Sequence, residues 1–441
     1  MYNVYSQVAM SENTKRTLLI GTLVITILPL PFIVKHPSNW GNLQQIWLYT
    51  SAVLGYVGLV GLLWMYIIGT KSVIGLYFTD LAKINQLHRW LGTYGTVLVF
   101  LHPVAATLAY SESLVTYSLL PRFGSPFEQS VTWGRFAFWV LLVVWVTSAL
   151  VRSNIHYRPW KYIHYFAYVA LPLALLHIPS IGSSYRTLSV PRVYFVSILV
   201  LAGLFTVLRL RHLFALGRAE YTITQHIPLA PQVMLVKLKP LRSMLSPRRG
   251  QYVYLQKTLL GAGHPFSVVQ VDVSSGDITL AYKQFGPFTT SLAELKTGEK
   301  VFLDGPYGLF TSQRWRRTSR PAVFIAGGIG ITPFVDHVLH DDGRSWLFYA
   351  SQNRTMAAFW PHLSKALGTR FVQILSDEST ALRQGEVDGY ISKEILGSRL
   401  HDPSEFEFFI CGPEGFMRAT ADILASLGVP ANQVHTESFS F

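Results

Sequence analysis

The sequence predicts a multidomain membrane protein: a six-helix transmembrane bundle, then an antiparallel β-barrel, then an α/β nucleotide-binding domain. Three observations carry this reading. Long apolar runs fill roughly the first 210 of 441 residues, in a chain that is 50% hydrophobic with a mean hydropathy of +0.30. Short strand-like segments broken by Gly and Pro follow. From about residue 321, apolar β-type runs alternate with helical patterns. Domains are therefore expected at 1–210, 219–313 and 318–441, with the linker at 209–220.

Six spans fit the first half, at about 17–34, 46–68, 87–110, 133–151, 161–179 and 192–210. Each is near the ~20 residues that a crossing needs. Lys15 and Arg16 precede the first span without a small-residue cleavage site, so it reads as an uncleaved helix. One face of the bundle collects Lys15, Arg16, Lys71, Lys83, Arg89, Arg152, Arg158, Lys161, Arg209, Arg211 and Arg218. The other has Lys35, Arg122, Arg135, Arg186 and Arg192, eleven against five. By the positive-inside rule both termini and the soluble half are expected to be cytoplasmic, with the bundle in the plasma (inner) membrane.

Four histidines stand in apolar stretches as matched pairs, His88 with His102 and His164 with His177. An ionisable side chain inside a span is costly and is by default a functional candidate. At ~1.5 Å per residue, spacings of 14 and 13 put the members of each pair roughly 20 Å apart along the helix. That leaves room for two flat cofactors stacked across the membrane, and neutral imidazole is a common axial ligand of haem iron. Two bis-histidine b-type haems are expected, an inner one on His88 and His164 and an outer one on His102 and His177. The alternative is four histidines that hydrogen-bond neighbouring helices without metal. Fourteen residues at ~100° return to within about 40° of the starting direction, whereas thirteen leave an ideal helix about 140° off. Pro172 lies between His164 and His177, and overwinding there is the expected remedy.

The net charge of +13 is largely a property of the bundle margins, where basic residues suit anionic headgroups. The densest basic run, Arg314, Trp315, Arg316 and Arg317, reads as a solvated connector, so no nucleic-acid partner is expected. Cys411 is the single cysteine, which excludes intrachain disulfides, a cysteine-ligated iron–sulfur cluster and a CxxCH haem attachment.

In the soluble half, the segments YTITQHIPL, QVMLVKLKP, GQYVYLQ, SVVQVDV and DITLAYK read as a small barrel. It contains HPFS, in which Phe266 suits packing on a flavin ring and Ser267 suits hydrogen bonding beside it. Lys283, Thr289 and Thr290 suit phosphate. GGIGITP, with Gly327, Gly328, Gly330, Thr332 and Pro333, follows the strand AVFIA and opens an expected helix. A glycine turn there exposes N–H groups to a pyrophosphate, or is simply a tight turn. After SWLFYA no acid is present for a ribose 2′-hydroxyl, whereas Arg354 is available for a 2′-phosphate. NADPH is therefore expected over NADH.

The order of these elements, two histidine pairs on spans three and five, then HPFS, GGIGITP and CGP, resembles the ferric reductase / NADPH oxidase superfamily. The soluble half is similar to a ferredoxin–NADP reductase module. The resemblance implies that His88, His102, His164 and His177 ligate two haems. It also implies that the segment His264, Pro265, Phe266 and Ser267 binds FAD, and that the glycine turn with Cys411, Gly412 and Pro413 binds the nicotinamide nucleotide. Cys411 and the terminal Phe441, which would cover the flavin, become its catalytic positions. Fewer than twenty residues precede the first span and no ion-binding domain is inserted, so regulation by calcium is not implied.

The expected activity is transmembrane electron transfer from cytoplasmic NADPH, through FAD and two haems, to a one-electron acceptor beyond the membrane. Dioxygen, giving superoxide, and a ferric chelate both remain open as that acceptor. The rival readings are a haem subunit feeding a partner protein or quinone, and a non-redox transporter with an appended nucleotide domain. The complete NADPH module speaks against the first, a visible haem spectrum shifted by NADPH would separate the second, and no partner subunit is required.

Overall fold

The computed structural model describes residues 12–70, 74–75, 77–78, 81–110, 119–214, 218–259, 261–308, 310–311, 320–341 and 343–437. Phe441 and the run Arg314 to Arg317 lie outside the described residues. The chain divides into two units, Met1–Leu210 and Arg211–Phe441.

Among the described residues, six helices are long and apolar enough to cross a membrane: Thr14–Ile33, Leu43–Gly69, Lys83–Tyr110, Pro126–Leu150, Pro159–Ile181 and Ser189–Arg211. Large apolar side chains such as Leu176, Val200, Leu204 and Val207 point outward, as a lipid-facing surface requires. The fourth span starts at Pro126, seven residues earlier than the sequence suggested. Ser125 caps it by accepting from the Glu128 N–H. Arg135 is therefore a buried residue inside a span and not a loop cation. A Cβ on Gly58 of the second span would lie 2.9 Å from Val99 Cγ2 of the third, so a small residue lets these helices approach.

Two distortions set the histidine register. The third span unwinds into one π turn at Leu91–Gly95, between His88 and His102. The fifth span tightens just after His164: the Phe166 N–H donates to the Ile163 carbonyl (3.0 Å) and the Val169 N–H to the Phe166 carbonyl (2.9 Å). A π turn rotates the chain less per residue and an i→i−3 turn rotates it more, so the two distortions act in opposite senses on spacings of 14 and 13. The expected overwinding at Pro172 is displaced to Phe166; Pro172 itself lies inside the continuing helix Ala167–Ile181.

In the second unit, β1 (Ala219–Ala230), β2 (Val233–Pro240), β3 (Tyr252–Gln256), β4 (His264–Val271), β5 (Ile278–Lys283) and β6 (Lys300–Tyr307) close an antiparallel barrel. Its order is β1-β2-β5-β4-β3-β6. Tyr221, Ile223, Leu238, Leu255 and Leu303 fill its interior. The strands β7 (Ala322–Gly327), β8 (Trp346–Ser351), β9 (Phe371–Leu375), β10 (Glu386–Asp388), β11 (Glu407–Cys411) and β12 (Val434–Glu437) form a parallel sheet ordered β10-β9-β8-β7-β11-β12. All six residues of β7 are buried, with Phe324 in the core on one face and Val323 and Ile325 in the core on the other. Such a strand reads as a continuous apolar run because both faces are covered.

Candidate functional site

Spans three and five bring the four histidines into two pairs. The ring centres of His88 and His164 are 6.1 Å apart, and those of His102 and His177 are 6.3 Å apart. A metal held on both sides by imidazole nitrogens at about 2.0–2.1 Å, each about 1 Å from its ring centre, needs ring centres roughly 6 Å apart. Both pairs fit that requirement.

Hydrogen bonds decide which nitrogen faces the partner. His102 Nδ1 lies 2.7 Å from the Ser51 carbonyl and His177 Nδ1 lies 3.0 Å from the Ser130 carbonyl. A carbonyl only accepts, so both rings carry their proton on Nδ1 and keep the Nε2 lone pair for a ligand. His164 Nδ1 lies 3.2 Å from Ser148 Oγ, which also accepts from Trp160 Nε1 at 3.1 Å. Glycines clear the space beside the rings: an added Cβ would stand 2.6 Å from His177 Nδ1 at Gly134, 3.1 Å from His102 at Gly55, and 3.6 Å from His88 Cε1 at Gly69. Sequence reasoning missed Ser51, Ser130, Ser148, Trp160 and these glycines. Small residues recurring inside apolar spans were the available signal, since they mark close helix approach.

In the parallel sheet, strand order reverses between β7 and β11, and ligands of such sheets bind beyond the carboxyl ends at that point. Gly327–Gly328 closes β7 and Gly412–Pro413 follows β11, so both glycine segments meet there. A Cβ on Gly330 would lie 2.3 Å from the Cys411 carbonyl oxygen, and one on Gly412 would lie 3.2 Å from Gly327 Cα. Only glycine allows these backbones to touch. The expected helix after the turn is a 3₁₀ segment, Gly328–Phe334, followed by five α-helical residues. Gly328 has φ +56°, and Pro333 lacks the N–H of a continuing helix. Thr332 is buried and donates to the Ile329 carbonyl, closing that turn.

On the barrel, His264 opens β4 and stacks on Phe288 at 3.8 Å, while Pro265 pairs with Tyr254 of β3. Ser267 is buried and its hydroxyl has no hydrogen-bond partner among the described residues, an orphan that fits a polar atom of a bound ring. Phe266 is a correction: it is 8% exposed and belongs to the barrel interior with Tyr282 and Phe288, because even positions of β4 point inward. The Thr289 and Thr290 hydroxyls turn back to the Gly286 carbonyl, and Lys283 ends β5 exposed.

Two further assignments are corrected. Arg354, expected to be available for a phosphate, is already engaged within the chain: its Nε and Nη2 clamp Glu386 (2.7 and 2.5 Å), its Nη1 donates to Thr380, and Glu378 lies 3.7 Å away. The hydrogen bonds that Arg354 donates to Glu386 come first in holding that guanidinium charged. Cys411 is fully buried beneath the glycine turn, and burial, reinforced by the charge of Glu437, pushes its thiol well above the usual range. It is a packing residue, with no surface from which to act on a nucleotide.

The model of a ferric reductase like transmembrane component matches residues 54–175, and that of an oxidoreductase NAD-binding domain matches residues 324–422. The chain has the ferric reductase / NADPH oxidase type of architecture. It thus carries a transmembrane component of the ferric reductase kind and an oxidoreductase NAD-binding domain. It is similar to the propane 2-monooxygenase reductase component of Rhodococcus jostii, at 25% identity over 49% of this chain and 62% of that protein. It is also similar to the flavohemoprotein of Halalkalibacterium halodurans, at 33% identity over 32% of this chain and 37% of that one. The chain thus spans less than two thirds of the length of either relative. Among solved structures, the ferredoxin reductase in carbazole 1,9a-dioxygenase is similar at 24% identity, covering 51% of this chain and 70% of that one, with a TM-score of 0.44.

Proposed function

We propose that this ferric-reductase-type protein moves electrons from cytoplasmic NADPH across the plasma (inner) membrane to a one-electron acceptor, dioxygen or a ferric chelate. The observation that carries the reading is the pair of ring separations, 6.1 and 6.3 Å, at two levels of the same two spans. When bound, FAD accepts the two electrons of a hydride and releases them singly, and two b-type haems carry them one at a time. His88 and His164 hold the inner haem, and His102 and His177 the outer. Ser51 and Ser130 fix the outer rings in the coordinating tautomer. The Ser267 hydroxyl would hydrogen-bond the flavin, and the glycine turns would admit the nucleotide.

For the donor, Arg383 replaces Arg354. It lines a cavity of about 370 Å³ beyond β8 with Asn353, the clamped Arg354, Thr355, Ser379 and Thr380, alongside the carboxylates Asp377 and Glu378. Arg383→Ala is expected to raise the KM for NADPH more than that for NADH. Equal effects would remove Arg383 from the 2′-phosphate role. The orientation is supported by the uneven basic residues at the two faces. The reading as a whole is tested by haem content and by the visible spectrum after NADPH addition under argon; two haems per chain, both reduced, are expected. A protein without haem would end it. Rates with dioxygen and with ferric chelates, with and without superoxide dismutase, then select the acceptor.

A further inference from the structure

The two histidine levels differ in what their Nδ1 atoms meet. At the outer level His102 Nδ1 lies 2.7 Å from the Ser51 carbonyl and 3.2 Å from the Ser51 hydroxyl, and His177 Nδ1 lies 3.0 Å from the Ser130 carbonyl, so each ring has a backbone acceptor. At the inner level His164 meets the Ser148 hydroxyl, on the π turn Val146–Leu150 that distorts the fourth span. Single π turns in α-helices often mark functional positions. That hydroxyl oxygen already accepts the Trp160 indole N–H at 3.1 Å. Trp160 also stacks on the His164 ring, with centres 5.0 Å apart and planes 27° from parallel. The Arg152 guanidinium sits 4.4 Å from the centre of the Trp160 ring.

We infer that Ser148 and Trp160 are positioning residues that raise the reduction potential of the inner site by weakening the hydrogen bond that His164 donates. The inference rests on the reading that the histidine pairs hold haem. For Nε2 to coordinate, His164 Nδ1 must carry the proton and donate it to Ser148 Oγ. That oxygen then receives two N–H donors, and each one draws on the electron density the other needs. A ligand whose N–H is held weakly is less basic, gives less charge to its iron, and leaves the reduced state favoured. Arg152 over the indole face draws density from Trp160 and makes its N–H a stronger competitor.

The two side chains can be removed with opposite results. Trp160→Phe keeps a stacked ring but frees the Ser148 oxygen for His164 alone, so the inner potential is expected to fall. Ser148→Ala removes the acceptor, so it is expected to rise; Ser148→Thr keeps a hydroxyl and is expected to stay near the parent. The measurement is an anaerobic potentiometric titration of the purified full chain, followed at the haem absorption bands. The inner component is assigned as the one lost in His164→Ala. Opposite shifts confined to that component support the inference. Shifts in the same direction, equal shifts at the outer component, or no shift overturn it while leaving the haem reading intact. A parent protein that binds no haem, or only one, overturns that reading and the inference with it.

Discussion

The two units treat their chemically conspicuous residues in opposite ways. In the bundle, four histidines chosen by spacing end up facing each other in pairs, with their second nitrogens engaged where Ser51, Ser130 and Ser148 stand. In the soluble unit, Arg354 is clamped by Glu386, Cys411 is sealed in the core, and Phe266 points into the barrel. The difference lies in how many partners each environment offers. A polar side chain in an apolar span has few ways to be satisfied, so its function and its structural solution coincide. In a soluble α/β unit a guanidinium or thiol meets carboxylates and cores that compete with any ligand.

The comparison is sharpest where a ligand is deleted. His102→Ala or His177→Ala is expected to remove the outer haem and about halve the haem-to-protein ratio, since a bis-histidine site has no spare ligand. His156, at the membrane margin, is expected to be dispensable. Retention of both haems after either outer replacement would break the pairing.

Adding atoms is the next test. Gly134→Ala puts a Cβ 2.6 Å from His177 Nδ1, whereas Gly69→Ala leaves 3.6 Å to His88. Overpacking of this kind costs about 1–3 kcal/mol, so the first variant is expected to lose outer haem and the second to retain both. Equal haem contents would show that the outer site relaxes as freely as the inner.

For the soluble unit, Arg354→Ala is expected to lower the melting temperature while changing the KM for NADPH and NADH alike, because it unlocks Glu386 and Glu378 and removes no phosphate contact. A selective loss of NADPH affinity would restore the role that the sequence assigned to it. The smallest effect concerns acid. His337 is buried against Thr311, and burial, with the Arg249 charge next, lowers its pKa from 6.5 to about 3. The unfolded chain therefore binds a proton that the folded one refuses as pH falls from 6.5 toward 3, and stability is lost across that window. Melting temperatures at pH 7 and pH 5 should differ more in the parent than in His337→Gln; equal acid sensitivity would remove this histidine as a cause.

The terminal Phe441, which the family resemblance places over the flavin, is tested by stopped-flow flavin reduction in Phe441→Ser. Altered hydride transfer with an unchanged haem spectrum is expected, and unchanged rates with both nucleotides would make it a packing residue.

By itself the sequence determined the three-part architecture, the six spans and the spacing of the four histidines. Those follow from hydropathy and periodicity, which are local and one-dimensional. The barrel and the parallel sheet were legible for the same reason: β1 alternates along its first half, while β7 is apolar throughout and β11 is apolar after Glu407. Only the tertiary structure decided the rest. An ideal helix would have left the two spacings out of register; a π turn at Leu91–Gly95 and a tight turn at Phe166 reconcile them. Whether Arg354 meets phosphate or carboxylate depended on Glu386, 32 residues away, and whether Cys411 is reactive depended on a glycine turn from another strand. Such partners are distant in sequence and adjacent in space, and a side chain's chemistry belongs to whatever stands beside it.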